Sequence, residues 1–195
     1  MTYRVLVVCT GNICRSPMGE IVVRDQLAAA GITDVEVSSA GVSAEESGNP
    51  IDPRARQVLR ERGHEVPADH YAHRVSDEEL RQADLILALT VGHARSLRSR
   101  LTEINQDLGK IHLWREFDGT CAIAPYGAYG PGGVLAEDRE ARSAKRYSNF
   151  YSSDGHYDVP DPWYGGVTDF YHTYGVIERG AQGIVEFIAS MPDRS

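Results

Sequence analysis

Long apolar runs are missing from this 195-residue chain, and none approaches the roughly 20 residues of a membrane span. The N-terminus also lacks a signal-peptide pattern, so no membrane partner and a cytoplasmic location are expected. Cysteine is scarce. Three residues, an odd number, make no disulfide scaffold and fit a reducing compartment. Excess positive charge is absent as well: 20 Lys and Arg against 28 Asp and Glu leave a net charge of −8. That balance argues against a nucleic-acid surface, and it requires any anion pocket to be built locally. His70-x-x-His73 finds no third ligand at useful spacing, so neither a metal nor a cofactor is expected. Internal repeats are absent. The remaining composition, 42% hydrophobic and 25% charged, suits one soluble domain over residues 1–195.

Against these absences one stretch stands out. Val5 to Val8 is a short apolar run rich in β-branched residues, hence a buried strand. Gly11 and Asn12 then break the chain, and Ser16-Pro17 opens a helix. A loop curled at a helix N-terminus aims backbone N–H groups and the positive end of a dipole at one spot, which suits a tetrahedral dianion. Cys9 would lie at its base, where that field favours thiolate over thiol. Arg15 would close the ring with a planar fork for two phosphoryl oxygens. Thr10, Gly11, Asn12, Ile13, Cys14 and Ser16 supply the rest of the loop. Together they suggest phosphate-ester hydrolysis through a cysteinyl-phosphate.

The run Cys9-Thr-Gly-Asn-Ile-Cys-Arg15-Ser16 resembles the Cys-x5-Arg-Ser signature of the low-molecular-weight protein tyrosine phosphatases. Asp161-Pro-Trp-Tyr-Gly-Gly166, far along the chain, is similar to that family's general-acid loop. Ser38 to Gly41, Asp52 to Ala55, and Ala83 to Leu87 followed by Thr90 and His93 resemble it too. The resemblance implies a tyrosine phosphatase, a monomer or weak dimer, acting on phosphotyrosine-containing proteins. It also implies that Trp163 and Tyr164 flank the substrate ring, and that Asn12, Ser39 and His70 brace the loop in a left-handed conformation. His70 reads equally well as a surface histidine.

Taken in order, the chain alternates strands and helices. A helix from Met18 to Ala30 ends at Gly31, and Val35 to Ser38 is a second strand. Asp52-Pro53 begins a helix running to about Arg62, and Ser76 to Glu79 is a capping box ahead of a short helix to Gln82. Leu85 to Leu89 is a buried strand, Val91 to Ile104 a helix, Ile111 to Trp114 a fourth strand and Val167 to Met191 the last helix. The pattern implies an α/β, flavodoxin-like fold: a four-stranded parallel sheet with helices on both faces and ligands beyond the strands' C-terminal ends. An insertion at about 119–157 breaks the rhythm. Gly119 to Pro160 holds six glycines and five of the ten tyrosines, with a possible helix from Val134 to Tyr147 carrying Asp138 and Arg142 at i,i+4. It reads as a lid or docking wall, or as a surface elaboration.

Asp161 is the candidate acid, giving a proton to the departing phenolate and later taking one from water. Asp158 is the fallback, and a turn aspartate capping the next helix is the plainer reading of Asp161. Cys14 reads as a packing residue or as a disulfide partner for Cys9; Cys121 looks like a bystander. Ala44-Glu45-Glu46-Ser47 lacks the aromatic wall residue that many relatives carry, and its acidity would favour basic peptide flanks. A tyrosine from the insertion is a candidate replacement wall. The rival enzyme is an arsenate reductase using the same anion loop, although Thr90, Val91 and Gly92 supply none of its relay cysteines.

Overall fold

The computed structural model describes residues 2–138 and 155–191. Four strands, β1 (Tyr3–Cys9), β2 (Val35–Gly41), β3 (Leu85–Ala88) and β4 (Ile111–Leu113), form one parallel sheet in the order β2-β1-β3-β4. Among the described residues, five α-helices accompany them: α1 (Arg15–Ala29), α2 (Pro53–Glu61), α3 (Asp77–Gln82), α4 (Val91–Glu103) and α5 (Val167–Ala189).

Strand periodicity sorts the core into two layers. Val5, Val7 and Cys9 of β1, with Leu85 and Leu87 of β3, point to one face and pack against α1, α2 and α5. Leu6 and Val8, with Ile86 and Ala88, point to the other and meet α3 and α4. Burial on both faces explains why β1 and β3 read as continuous apolar runs with no polar alternation. The chain leaves β1 for β2 on one side, whereas β3 lies on the other. The C-terminal ends of β1 and β3 therefore flank the switch point at which an open α/β sheet leaves a crevice. Cys9 ends β1 at that crevice, paired in register with Gly41.

Local chemistry explains most boundaries. Asp52 caps α2 by accepting the Arg54 N–H at 2.8 Å, with Pro53 at the first helical position. Ser76 and Glu79 close a reciprocal capping box on α3. Thr90 caps α4 by accepting the His93 N–H at 3.1 Å. Other boundaries shift. α1 begins at Arg15, so Pro17 is its third residue, and β2 runs on to Gly41 because Arg74 bridges its end. β4 stops at Leu113, where a single 3₁₀ turn over Trp114–Glu116 takes over.

The stretch after β4 is anchored on the sheet edge. Buried Glu116 accepts from His112 Nδ1 (2.9 Å), Leu113 N (2.7 Å) and Ala124 N (3.1 Å), and Ala128 N donates to Ile111 O at 2.7 Å. Asp138 pairs with Arg95 of α4 at 2.9 Å, and the sequence-spaced Arg142 lies outside the described residues. Of the helix expected over Val134 to Tyr147, residues 134–137 form turns and Asp138 has no regular structure; the remainder lies outside the described residues. Val159 N donates to Leu89 O at 2.8 Å, which returns the chain to the end of β3 beside Cys9.

Candidate active site

The site starts from Asn12. Its φ of 58° is the left-handed conformation, which bends the chain so that its own N–H points back to Cys9 Sγ at 3.3 Å. Its side chain is fully buried and holds three elements at once. Nδ2 donates to Ser16 Oγ (3.0 Å) and Ser39 Oγ (2.9 Å), while Oδ1 accepts from His73 N (3.2 Å). His70 Nε2 donates to the Asn12 carbonyl at 3.0 Å, so His70 braces the loop and is not a free surface ring. Ser39 in turn donates to Glu20 of α1 at 2.6 Å.

Cys9 sits on the floor, 3% exposed, with Ser16 Oγ 3.0 Å from its sulfur. The sulfur also lies beneath the N-terminus of α1, fifteen residues long and beginning at Arg15. Arg15 is buried along its stem, and its fork donates to Asp161 Oδ2 (2.8 Å) and Val159 O (3.2 Å). Close backbone approach fixes the far side of the loop: a Cβ on Gly41 would stand 2.6 Å from the Thr10 carbonyl oxygen.

Cys9, Thr10, Gly11, Ile13, Cys14, Arg15, Asp161, Trp163 and Tyr164 line one cleft of about 140 Å³, joined by Glu45 and Glu46. Asn12, Ser16, Ser39 and His70 stand behind it as braces. Tyr164 is 86% exposed and Trp163 39%, so both form the lip. Opposite them, Glu46 packs over Gly11 and accepts from Asn49 Nδ2 at 2.7 Å. Asp158 is not in the cleft; its carboxylate accepts the Val91 N–H at 2.8 Å and so serves the first turn of α4. Tyr126 and Tyr129 border a separate open groove of about 420 Å³ with Leu108, Pro125 and Pro131, away from Cys9. Among the described residues, no tyrosine of 119–138 supplies the missing wall. Cys14 is a buried free thiol, and burial first, then the charge of Asp52, pushes its pKa up, which keeps it protonated.

Two further side chains touch this machinery through contacts distant in sequence. His93 is fully buried, its Nε2 2.9 Å from Thr10 Oγ1. Burial, then the Arg15 charge, lowers its pKa well below the ordinary histidine value, so the ring is neutral. Arg54 reaches the other way, over the Asp161 loop. Burial raises the Asp52 carboxyl, but hydrogen bonds from Arg54 outweigh that and hold it below the usual range.

A thiol ending a parallel strand, under a helix N-terminus and beside a buried arginine, defines a cysteine-based oxyanion site on a doubly wound fold. The chain is similar in sequence and fold to known proteins. The family profile described as low molecular weight phosphotyrosine protein phosphatase matches residues 4–126. A low molecular weight protein-tyrosine-phosphatase of Streptomyces coelicolor is 36% identical over 186 residues, covering 95% of this chain and 93% of its own. The crystal structure of YfkJ from Bacillus subtilis superposes with a TM-score of 0.74 at 25% identity, over 99% of this chain and 98% of that one. Vibrio vulnificus Wzb, solved in complex with benzylphosphonate, gives a TM-score of 0.68 at 27% identity, over 96% and 99%. The chain belongs to the low molecular weight phosphotyrosine protein phosphatase family.

Proposed function

We propose that this enzyme hydrolyses phosphotyrosine monoesters in protein substrates in two steps through Cys9. In the first, the Cys9 thiolate attacks phosphorus, an S–P bond forms, and the P–O bond to the phenol breaks. Asp161 gives its proton to the departing oxygen. In the second, ionised Asp161 takes a proton from water, the water oxygen bonds to phosphorus, and the S–P bond breaks to return thiolate and inorganic phosphate. Asn12 N–H and Ser16 Oγ steady the sulfur at both ends of this cycle. The arginine fork serves the phosphoryl oxygens, and a bound dianion competes with Asp161 for it, which frees the carboxyl to face the leaving group.

The observation that carries this reading is the joint lining of one narrow cleft by Cys9, Arg15, Asp161 and Trp163. Trp163 and Ile13 offer faces to an aromatic ring, in keeping with the benzylphosphonate that the Vibrio relative accepts. Glu45 and Glu46 on the rim favour peptides with basic residues beside the phosphotyrosine.

The test is turnover of p-nitrophenyl phosphate and a phosphotyrosine peptide. Cys9→Ser should abolish it while phosphate still binds, and Asp161→Asn should lower it about 10²-fold or more on the peptide. Hydrolysis that survives in Cys9→Ser sinks the mechanism. So does arsenate turnover coupled to thioredoxin with no ester hydrolysis.

A further inference from the structure

Arg54 occupies the second residue of α2, where a positive charge opposes the helix dipole. What it gains there is a fixed fork. Nε donates to Asp52 Oδ1 at 3.0 Å and Nη2 to Asp52 Oδ2 at 2.9 Å, a bidentate pair that sets the guanidinium plane. The remaining arm, Nη1, donates to Gly165 O at 2.8 Å and Trp163 O at 3.3 Å. Its flat face lies 4.5 Å from the Phe170 ring centre and 5.7 Å from that of Trp163. Both ends of this clasp lead to reacting groups. Asp52 N donates to Ile13 O at 2.8 Å, so the anchor is fastened to the anion loop. Trp163 N donates to Asp161 Oδ1 at 3.2 Å, so the residue that Arg54 grips also orients the acid.

We propose that Arg54, locked by Asp52, is a positioning residue that holds the Asp161–Gly165 loop at a fixed reach from the Cys9 loop. The inference rests on the reading of Asp161 as the proton donor. Arg54 touches neither phosphorus nor the leaving oxygen; it acts through Trp163 and Gly165. A lysine supplies the charge without the planar fork, and so cannot bridge Asp52 to two carbonyls in one plane.

The test exploits the leaving group. A good leaving group such as p-nitrophenolate departs with little help, whereas phenolate and tyrosinate need the proton. Kinetics of Arg54→Met, Arg54→Lys, Asp161→Asn and the double variant Arg54→Met/Asp161→Asn are compared on p-nitrophenyl phosphate and phenyl phosphate. Arg54→Met should lose about tenfold more kcat/KM, which reports the leaving-group step alone, on phenyl phosphate than on p-nitrophenyl phosphate, with inhibition by inorganic phosphate unchanged. Asp161→Asn should show the same skew, larger, and the double variant should be no more skewed than Asp161→Asn alone. Equal losses on both substrates in Arg54→Met, beside a skewed Asp161→Asn, overturn the positioning role. An unskewed Asp161→Asn overturns the acid assignment itself and the clasp with it. Should Arg54→Met fail to fold, Arg54→Lys carries the comparison and must show the skew.

Discussion

Asn12 shows how much of the site one side chain can hold. It combines a left-handed backbone, an N–H aimed at sulfur and an amide that ties α1, β2 and the segment at His73. Two substitutions separate these jobs. Asn12→Ala leaves the buried hydroxyls of Ser16 and Ser39 without their donor, costing about 1–3 kcal/mol, and adds strain of roughly 1–2 kcal/mol for a positive φ. Asn12→Gly removes the same hydrogen bonds but accepts the φ freely. Urea unfolding should therefore find the alanine variant less stable than the glycine one by about 1 kcal/mol. Both should lose peptide turnover, because the sulfur's donor is no longer fixed. The prediction fails if the two variants are equally stable.

The last helix carries a sharper contrast. α5 packs across α1 with Trp114 wedged between them, and a Cβ on Gly180 would collide with the indole. A Gly180→Ala change gains about 1 kcal/mol of helix propensity, but its methyl has no space, and overpacking of this kind typically costs 1–3 kcal/mol, about as much or more. Gly175, in the same helix, would bring its methyl only to 3.7 Å from the Arg179 guanidinium, an ordinary contact. Gly175→Ala should accordingly stabilise by about 0.5–1 kcal/mol while Gly180→Ala destabilises, as read by thermal or urea unfolding. A gain at both positions would show that the indole yields easily. Elements of this kind were largely legible in the chain. β1, β3, the caps at Asp52 and Ser76 and the loop from Cys9 to Ser16 are contiguous, and their physics is local. Arg54 was not, because its partners at 163 and 165 are a long-range matter. Its charge in the first turn of α2, against the dipole, was the available signal, since such local violations gather at functional sites. His93–Thr10 and Glu20–Ser39 escaped for the same reason: each joins residues that only the fold brings together. Asp158 shows the reverse error, a carboxyl close in sequence to Asp161 that the fold commits to α4.

At the scale of the whole molecule, acidity and local positive charge coexist because the cleft relies on one buried arginine and main-chain dipoles within a chain of net charge −8. The neutral His93 behind it ties global stability to pH. In the unfolded chain this ring titrates near 6.5; in the fold its pKa lies well below that. The unfolded state thus binds a proton that the folded state refuses, so stability is full above 6.5 and falls as pH drops beneath it. The slope from this group reaches at most about 1.4 kcal/mol per pH unit. Unfolding of the protein and of His93→Asn at pH 7.5 and 5.5 should show a shallower pH dependence in the variant. Identical slopes would mean that the ring takes up its proton without unfolding.

Cys9 and Asp161 stand near opposite ends of the chain, and the second is delivered only when the segment leading into α5 docks. With Asp161 in its proposed role, proton delivery is a property of the finished fold alone. On refolding, anion protection of the thiol should return before turnover of phenyl phosphate does, and the interval between them would time the arrival of the final helix.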